Sequence, residues 1–332
     1  MSESDFWQKQ LQDAVTDPAE LVRSLRLPED AVSAEAARRY PVFVTRSYLR
    51  RMEPGNLNDP LLLQVLPREA ELSEHADFCC DPLGELENPD QCPDVLQKYQ
   101  GRVLLLTTDS CAVHCRFCFR RHFPKKHHSL EHVFTENRLR NPDMREVILS
   151  GGDPLMLTDR QLKKLFYYME ELPHVNRVRV HTRLPVMIPE RVTEELLGLF
   201  QKFRQSAANR SAFLVLHVNH PNELAPEVLA AVGKMADSGM PVLSQTVLLK
   251  GINDNFATLF ELFEKLVNNR AIPYYLHQLD RVAGASHFEV PMEQGLCLLR
   301  KLQDSLPGFA VPRYVQETAG MPGKVHLPRS GE

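Results

Sequence analysis

The sequence predicts an α/β fold, an open TIM-like partial barrel of six β/α units with a helical N-terminal extension, and three observations carry the prediction. Six short apolar runs recur, each bounded by turn or polar residues: 103–108 (VLLLTT), 146–150 (EVILS), 177–182 (RVRVHT), 213–218 (FLVLHV), 242–249 (VLSQTVLL) and 273–279 (PYYLHQL). Helical patterns with apolar residues three and four apart lie between them, which implies right-handed crossovers and one parallel sheet. Polar residues gather where the runs end, as at the C-terminal rim of such barrels. Six units fall short of the eight of a closed TIM barrel, so a partial barrel is preferred to a doubly wound sheet.

Taken in order, residues 1–95 lack strand rhythm. DFWQKQLQDAV, DPAELVRSLRL and DAVSAEAARRY read as short helices opened by Asp, whose carboxylate caps free N–H groups. Prolines at 54, 60, 67, 82, 89 and 93 break up the rest of this region, which predicts a segment wrapped over the barrel. The barrel is expected over 96–290, with crossover helices DRQLKKLFYYMEEL, PERVTEELLGLFQKF, APEVLAAVGKMADSG and NFATLFELFEKLVNN. Residues 291–332 supply a last helix, MEQGLCLLRKLQDSL, and a glycine loop. On the rim, three cysteines follow the first run, and Ser150-Gly151-Gly152-Asp153 ends the second. His181 ends the third, and His217, Asn219 and His220 the fourth; Gln245 lies in the fifth and Asp280 follows the sixth.

Composition narrows the function. With 43% apolar and 25% charged residues the chain is an ordinary globular protein, which excludes disorder and collagen. A formal charge of −4 gives no general reason to bind nucleic acid or an anionic membrane. No apolar stretch approaches the ~18 residues needed to span a bilayer, and the polar start MSESDFWQKQLQD does not suit a signal peptide, so a cytoplasmic protein is expected. Seven cysteines, three of them within eight residues, fit bound thiolates better than a secreted disulfide framework. Cys79, Cys80 and Cys92 read as buried free thiols and Cys297 as helix core.

Cys111, Cys115 and Cys118 stand in C-x3-C-x2-C spacing after the first strand, close enough to converge on one inorganic centre. A closed zinc site wants four protein ligands, whereas three thiolates on a cubane leave one iron open to an outside ligand. A zinc knuckle completed by His114 or His122, or plain buried thiols, remains an alternative on spacing alone.

The run Asp109-Ser110-Cys111-Ala112-Val113-His114-Cys115-Arg116-Phe117-Cys118-Phe119-Arg120-Arg121 resembles the cluster loop of radical S-adenosylmethionine enzymes. More narrowly, the chain resembles the lysine 2,3-aminomutases from about Lys98 to Lys324, through SGGDPL (150–155), HVNHPNE (217–223), QTVLLKGIND (245–254) and PYYLHQLD (273–280). The FCFRRHFP run is most similar to short bacterial members that make (R)-β-lysine for attachment to elongation factor P. The resemblance implies a [4Fe-4S] cluster on Cys111, Cys115 and Cys118. It also implies S-adenosyl-L-methionine held by Ser150, Gly151, Gly152, Asp153, His217 and Gln245, with an external electron donor.

The resemblance also implies pyridoxal 5′-phosphate bound covalently by Lys324, in the loop Gly320-Met321-Pro322-Gly323-Lys324, with Lys98 and Arg102 on the phosphate. No Asp or Arg partner for the pyridine nitrogen can be named. The substrate implied is L-lysine, its carboxylate on Arg120 and its side-chain ammonium on Asp280 and Glu317; the long members have Asp in place of Glu317. The expected reaction is migration of the α-amino group to C3. A sibling aminomutase acting on another amino acid is the alternative. Arg116, Arg120, Arg121, His122, Lys125, Lys126, His127 and His128, interleaved with Phe117, Phe119 and Phe123, also fit a zinc-stabilised nucleic-acid module. Net acidity and rim placement argue against it, so neither nucleic acid nor membrane is expected as a partner, and no oligomeric state is assigned.

Overall fold

The computed structural model describes residues 3–85, 92, 94–123 and 129–327, apart from the side chains of residues 3–5 and 98. Strands β1 (Val95–Tyr99), β2 (Arg102–Leu106), β3 (Glu146–Ser150), β4 (Arg177–Thr182), β5 (Ser211–His217), β6 (Val242–Val247), β7 (Ala271–His277), β8 (Arg313–Gln316) and β9 (Val325–His326) form one sheet in sequence order. β2 to β8 run parallel, and β1 and β9 are antiparallel edges. Among the described residues no ladder joins β1 to β9. The edges nevertheless meet through side chains, because the Tyr99 hydroxyl at the end of β1 donates to Glu317 just past β8. The sheet is therefore curled into a barrel that is open only in its backbone pairing.

All six strands read from the sequence are present, as β2 to β7, each followed by helical structure. The helices Asp159–Glu170, Glu194–Gln205, Pro226–Asp237, Phe256–Asn268 and Met292–Ser305 form because each presents an apolar stripe at three- and four-residue spacing. Their starts are chemically marked: Thr158 and Gln161 make a reciprocal capping box, Thr193 accepts from Leu196 N at 3.1 Å, and Asn255 accepts from Thr258 N at 2.9 Å. Leu162, Phe166, Leu196, Phe200 and Phe203 bury these stripes against one another and the outer strand faces. The Phe166 and Phe200 rings meet edge to face at 5.2 Å.

The sheet does not stop at residue 290. β8 adds a seventh parallel strand and β9 turns back on it, so the segment expected to hold only a helix and a loop also completes the wall. In the N-terminal region Asp17 caps the helix Pro18–Ser24, accepting from Ala19 N at 2.9 Å. The helix Ala34–Arg39 is opened by Ser33 instead of Asp30, since the Ser33 hydroxyl is the group in reach of Ala36 N (3.3 Å). This region lies on the barrel throughout: Val44 bridges Val113, Thr45 Oγ1 donates to Met187 O (2.9 Å), and the Arg191 guanidinium covers the Trp7 ring at 4.7 Å.

Candidate active site

Side chains alternate across each strand, so residues two apart share a face. On β4, Val178 and Val180 enter the hydrophobic core, while Arg179 and His181 line a lumen; on β7, Leu276 is core and Tyr275 and His277 face inward. The lumen is a cavity of about 440 Å³, bounded by inward residues of β1 to β7 and closed by Glu317, Lys324 and His326. Polar side chains such as Arg179, His181, His217 and Gln245 stand among apolar ones in this lumen, where apolar layers fill most barrels of this kind.

The loop after β2 brings Cys111, Cys115 and Cys118 to this cavity. The N-terminal region clamps it from behind: His114 N donates to Phe43 O (3.0 Å) and Arg116 N to Gln64 O (2.9 Å). Arg116 grips Glu71 with two bonds (2.8 and 2.6 Å), and Arg121 adds a third at 3.0 Å. Burial pushes all three thiols up, Cys118 to about 11, so ionising them together calls for a cationic centre. Arg183 Nη1 donates to Cys115 Sγ at 2.7 Å.

A single tetrahedral zinc would draw its thiolates to about 3.8 Å from one another. Among the described residues the only ligand group with all atoms within 4.8 Å is Cys92, His132 and Glu136, away from this loop, so the three sulfurs stand wider than a zinc ion requires. His114 and His122, the expected completing ligands, are turned elsewhere: His114 Nδ1 bonds Pro41 O (2.8 Å) and His122 Nε2 bonds Ala283 O (3.3 Å). The donor set fits a cluster with an open iron better than closed zinc. The basic run is not a surface patch either, because Arg116, Arg120 and Arg121 are paired inward with Glu71 and Glu85; Lys125, Lys126, His127 and His128 lie outside the described residues. Cys79 and Cys80, expected to be buried, are exposed because they sit in a surface loop; Cys92 is buried and Cys297 half-buried.

Ser150, Gly151, Gly152 and Asp153 leave β3 directly beneath the cysteine loop: Gly152 N donates to Thr108 O (2.6 Å) and Asp153 N to Ser110 O (2.8 Å). The buried Asp153 carboxylate accepts from Thr182 Oγ1 (2.7 Å), Arg183 N (2.7 Å), Leu184 N (2.8 Å) and Leu155 N (3.0 Å). Its lone pairs are thus occupied by protein donors. His217 and Gln245 sit side by side on β5 and β6. Burial pulls His217 down to about 3, and its Nε2 contacts Asn219 Oδ1 (3.2 Å). Asn219 joins the Gln64, Arg183 and Glu223 network, and His220 caps the turn Pro221–Glu223, so both serve the scaffold.

Arg120 makes a bidentate pair with Glu85 (3.0 and 3.1 Å) and donates to Ser150 Oγ (3.1 Å). In the same cavity Lys324 is hydrogen-bonded to Glu317, which also takes the Tyr99 hydroxyl. Asp280 and Arg102 line the same cavity; the Lys98 side chain, expected near the phosphate, lies outside the described residues.

Residues 105–263 match the radical SAM superfamily. The L-lysine 2,3-aminomutase of Escherichia coli is 40% identical over 97% of this chain and 94% of its own length, and that of Haemophilus influenzae 38% over 97% and 95%. The enzyme of that name from Clostridium subterminale is 34% identical over 98% of this chain and 78% of its own length. The chain belongs to the lysine 2,3-aminomutase family of radical SAM enzymes.

Membership makes it an isomerase and implies a [4Fe-4S] cluster, S-adenosylmethionine and pyridoxal 5′-phosphate as cofactors. Several cavity residues of this family member escaped the sequence reading of its site. Arg179, Tyr275 and His277 were legible as polar residues alternating with buried ones in RVRVHT and PYYLHQL, a pattern that marks a strand facing a wet lumen. Glu85 and Tyr99 carried no such signal, because their importance lies in partners 35 and 218 residues away.

Proposed function

We propose that this protein is a pyridoxal phosphate-dependent L-lysine 2,3-aminomutase that moves the α-amino group of L-lysine to C3, giving β-lysine, in the cytoplasm. The observation that carries the reading is the meeting of Lys324 with Glu317 in the cavity that the three thiols line. The names and near full-length identity of the Escherichia and Haemophilus relatives support it. When bound, the cluster and S-adenosylmethionine would supply a carbon radical, and pyridoxal phosphate a π-system along which nitrogen moves.

The chain's own residues do the selecting. Glu317 binds the Lys324 ammonium, so the side-chain ammonium of a substrate lysine finds there a carboxylate already shaped for it, with Asp280 as second acid. The planar Arg120 fork, engaged by the Glu85 carboxylate, has the geometry to take a substrate carboxylate instead. A cation and acids lining one cavity favour a long cationic amino acid over a glutamate. Cys111, Cys115 and Cys118 would hold the cluster and Arg102 the phosphate, while Ser150, the two glycines, His217 and Gln245 would hold S-adenosylmethionine. Asp153 would act through the backbone it braces. Attachment to elongation factor P is the physiological use proposed for the product.

The test is anaerobic reconstitution with iron, sulfide, both organic cofactors and dithionite, followed by incubation with lysine, glutamate or arginine and mass spectrometry of derivatised products. β-Lysine from lysine alone is expected. β-Glutamate or β-arginine would move the reading to a sibling enzyme, and no product despite an intact cluster would overturn it. Asp280→Asn should lower kcat/KM for lysine about tenfold or more while sparing an uncharged analogue.

A further inference from the structure

Two histidines in the cavity wall have no part in that reading. His181, near the end of β4, and His277, at the end of β7, both line the cavity, and the Nε2 of each is shielded from solvent without a hydrogen-bond partner. A buried polar nitrogen left unsatisfied costs about 1–3 kcal/mol. Two of them in the wall of one lumen call for polar partners. Lys324 is an electrostatic neighbour of both, so the ligand they await lies beside that amine.

The carboxylates of the cavity already have duties. Glu85 is on Arg120, Asp153 is saturated by four protein donors, and Glu317 takes Lys324 and Tyr99. Asp280 is assigned to the substrate ammonium. A pyridine ring entering beside Lys324 brings a ring nitrogen and a 3-oxygen that need partners, and among the described residues the two imidazoles are neutral unsatisfied groups that neighbour that amine. We propose that His181 and His277 are positioning residues for the pyridine ring of pyridoxal phosphate, their Nε2 atoms hydrogen-bonding its ring nitrogen and 3-oxygen. This rests on the aminomutase reading and gives the ring nitrogen a partner that is neither an aspartate nor an arginine.

The electronic consequence is specific. Burial, then the cations Arg179 and Lys324, hold His181 well below the ordinary histidine range; burial, then Lys324 and His217, do the same for His277. Both imidazoles are therefore neutral at pH 7. A neutral imidazole shares a proton with the ring nitrogen without surrendering one, whereas an aspartate partner stabilises the protonated pyridinium that withdraws electron pairs. A ring left unprotonated suits one-electron migration of nitrogen.

The experiment uses anaerobically reconstituted enzyme with [15N]pyridoxal phosphate and neither S-adenosylmethionine nor lysine, in wild type, His181→Phe, His277→Phe and the matching Gln variants. Iron and sulfide content and circular dichroism report folding, and the glutamines retain neutral hydrogen bonding if phenylalanine disturbs the fold. The wild-type ring nitrogen should show the 15N shift of a hydrogen-bonded, unprotonated pyridine from pH 6 to 8.5. The Phe variants should weaken cofactor binding at least tenfold and move that shift, and the Gln variants should restore most of the affinity. Unchanged affinity and shift in folded Phe variants, or an effect that emerges only once lysine or S-adenosylmethionine is added, would overturn the proposal. Lys324→Ala separates the two levels. If wild type and Lys324→Ala give the same cofactor spectrum, the aminomutase reading falls and this inference with it; if they differ but the histidine variants are silent, this inference falls alone.

Discussion

A Cβ on Gly152 would lie 2.4 Å from the Ser110 carbonyl oxygen, and one on Gly151, at φ +110°, 2.8 Å from that of Thr108. Both contacts are with backbone, so neither neighbour can swing aside. The glycine pair lets the exit of β3 lie against the loop that carries Cys111. Gly152→Ala is therefore expected to cost about 2–3 kcal/mol and to lower iron content after reconstitution to less than half of wild type. Gly198→Ala, in a helix with open space around the new methyl, should instead leave iron unchanged and stabilise slightly. Iron assays and thermal unfolding of the two variants check this, and full iron loading of Gly152→Ala would refute it. Residue identity was the legible part of this site. What the sequence could not reveal is how many lone pairs each residue has left: Asp153 reads as a rim acid, yet three backbone N–H groups and a threonine hydroxyl consume its carboxylate.

At the scale of elements, the cysteine loop is held by a buried polar clamp as well as by the apolar anchors Val113 and Phe117. Arg116 and Arg121 are buried and share Glu71, whose own side chain is 1% exposed. Removing one partner of a buried pair leaves an uncompensated charge, at a cost of about 3–5 kcal/mol. Glu71→Gln should therefore lower stability by that order in urea titrations, and a drop under 1 kcal/mol would contradict the clamp. Its parts are scattered over the N-terminal region, so only their wrapping was readable, from prolines and missing strand rhythm. Strand reading likewise succeeded where runs were apolar and failed where they were very short or carried charge. β8 has four residues, RYVQ, and β9 two, too few to show a period, and β1 (VLQKY) mixes charge into an edge whose outer side needs no core. These strands are nonetheless the ones that bring Tyr99, Glu317 and Lys324 together.

For the molecule as a whole, burying histidines in and around the lumen of a barrel has a consequence for stability against pH. Burial comes first among the causes that pull down His181, His217, His220, His277 and His287, His217 to about 3 and His287 to about 4. In the unfolded chain each titrates near 6.5. Between those values the unfolded state binds more protons than the folded state, so stability rises with pH. The contribution is fully present above about pH 6.5 and is lost as pH falls toward the folded-state values. Carboxylates titrate mostly below this window, which leaves pH 7 to 5.5 to the histidines. Urea titrations of the cofactor-free protein across that range should show unfolding free energy falling with acidity at a slope of several protons, each worth up to about 1.4 kcal/mol per pH unit. His277→Phe should remove close to one proton of that slope. A flat profile would mean that these imidazoles are charged or hydrated in the folded chain. No helix among the described residues is long and apolar enough to cross a membrane. Ligands that satisfy the open nitrogens should accordingly raise the unfolding midpoint most where the histidines are still neutral.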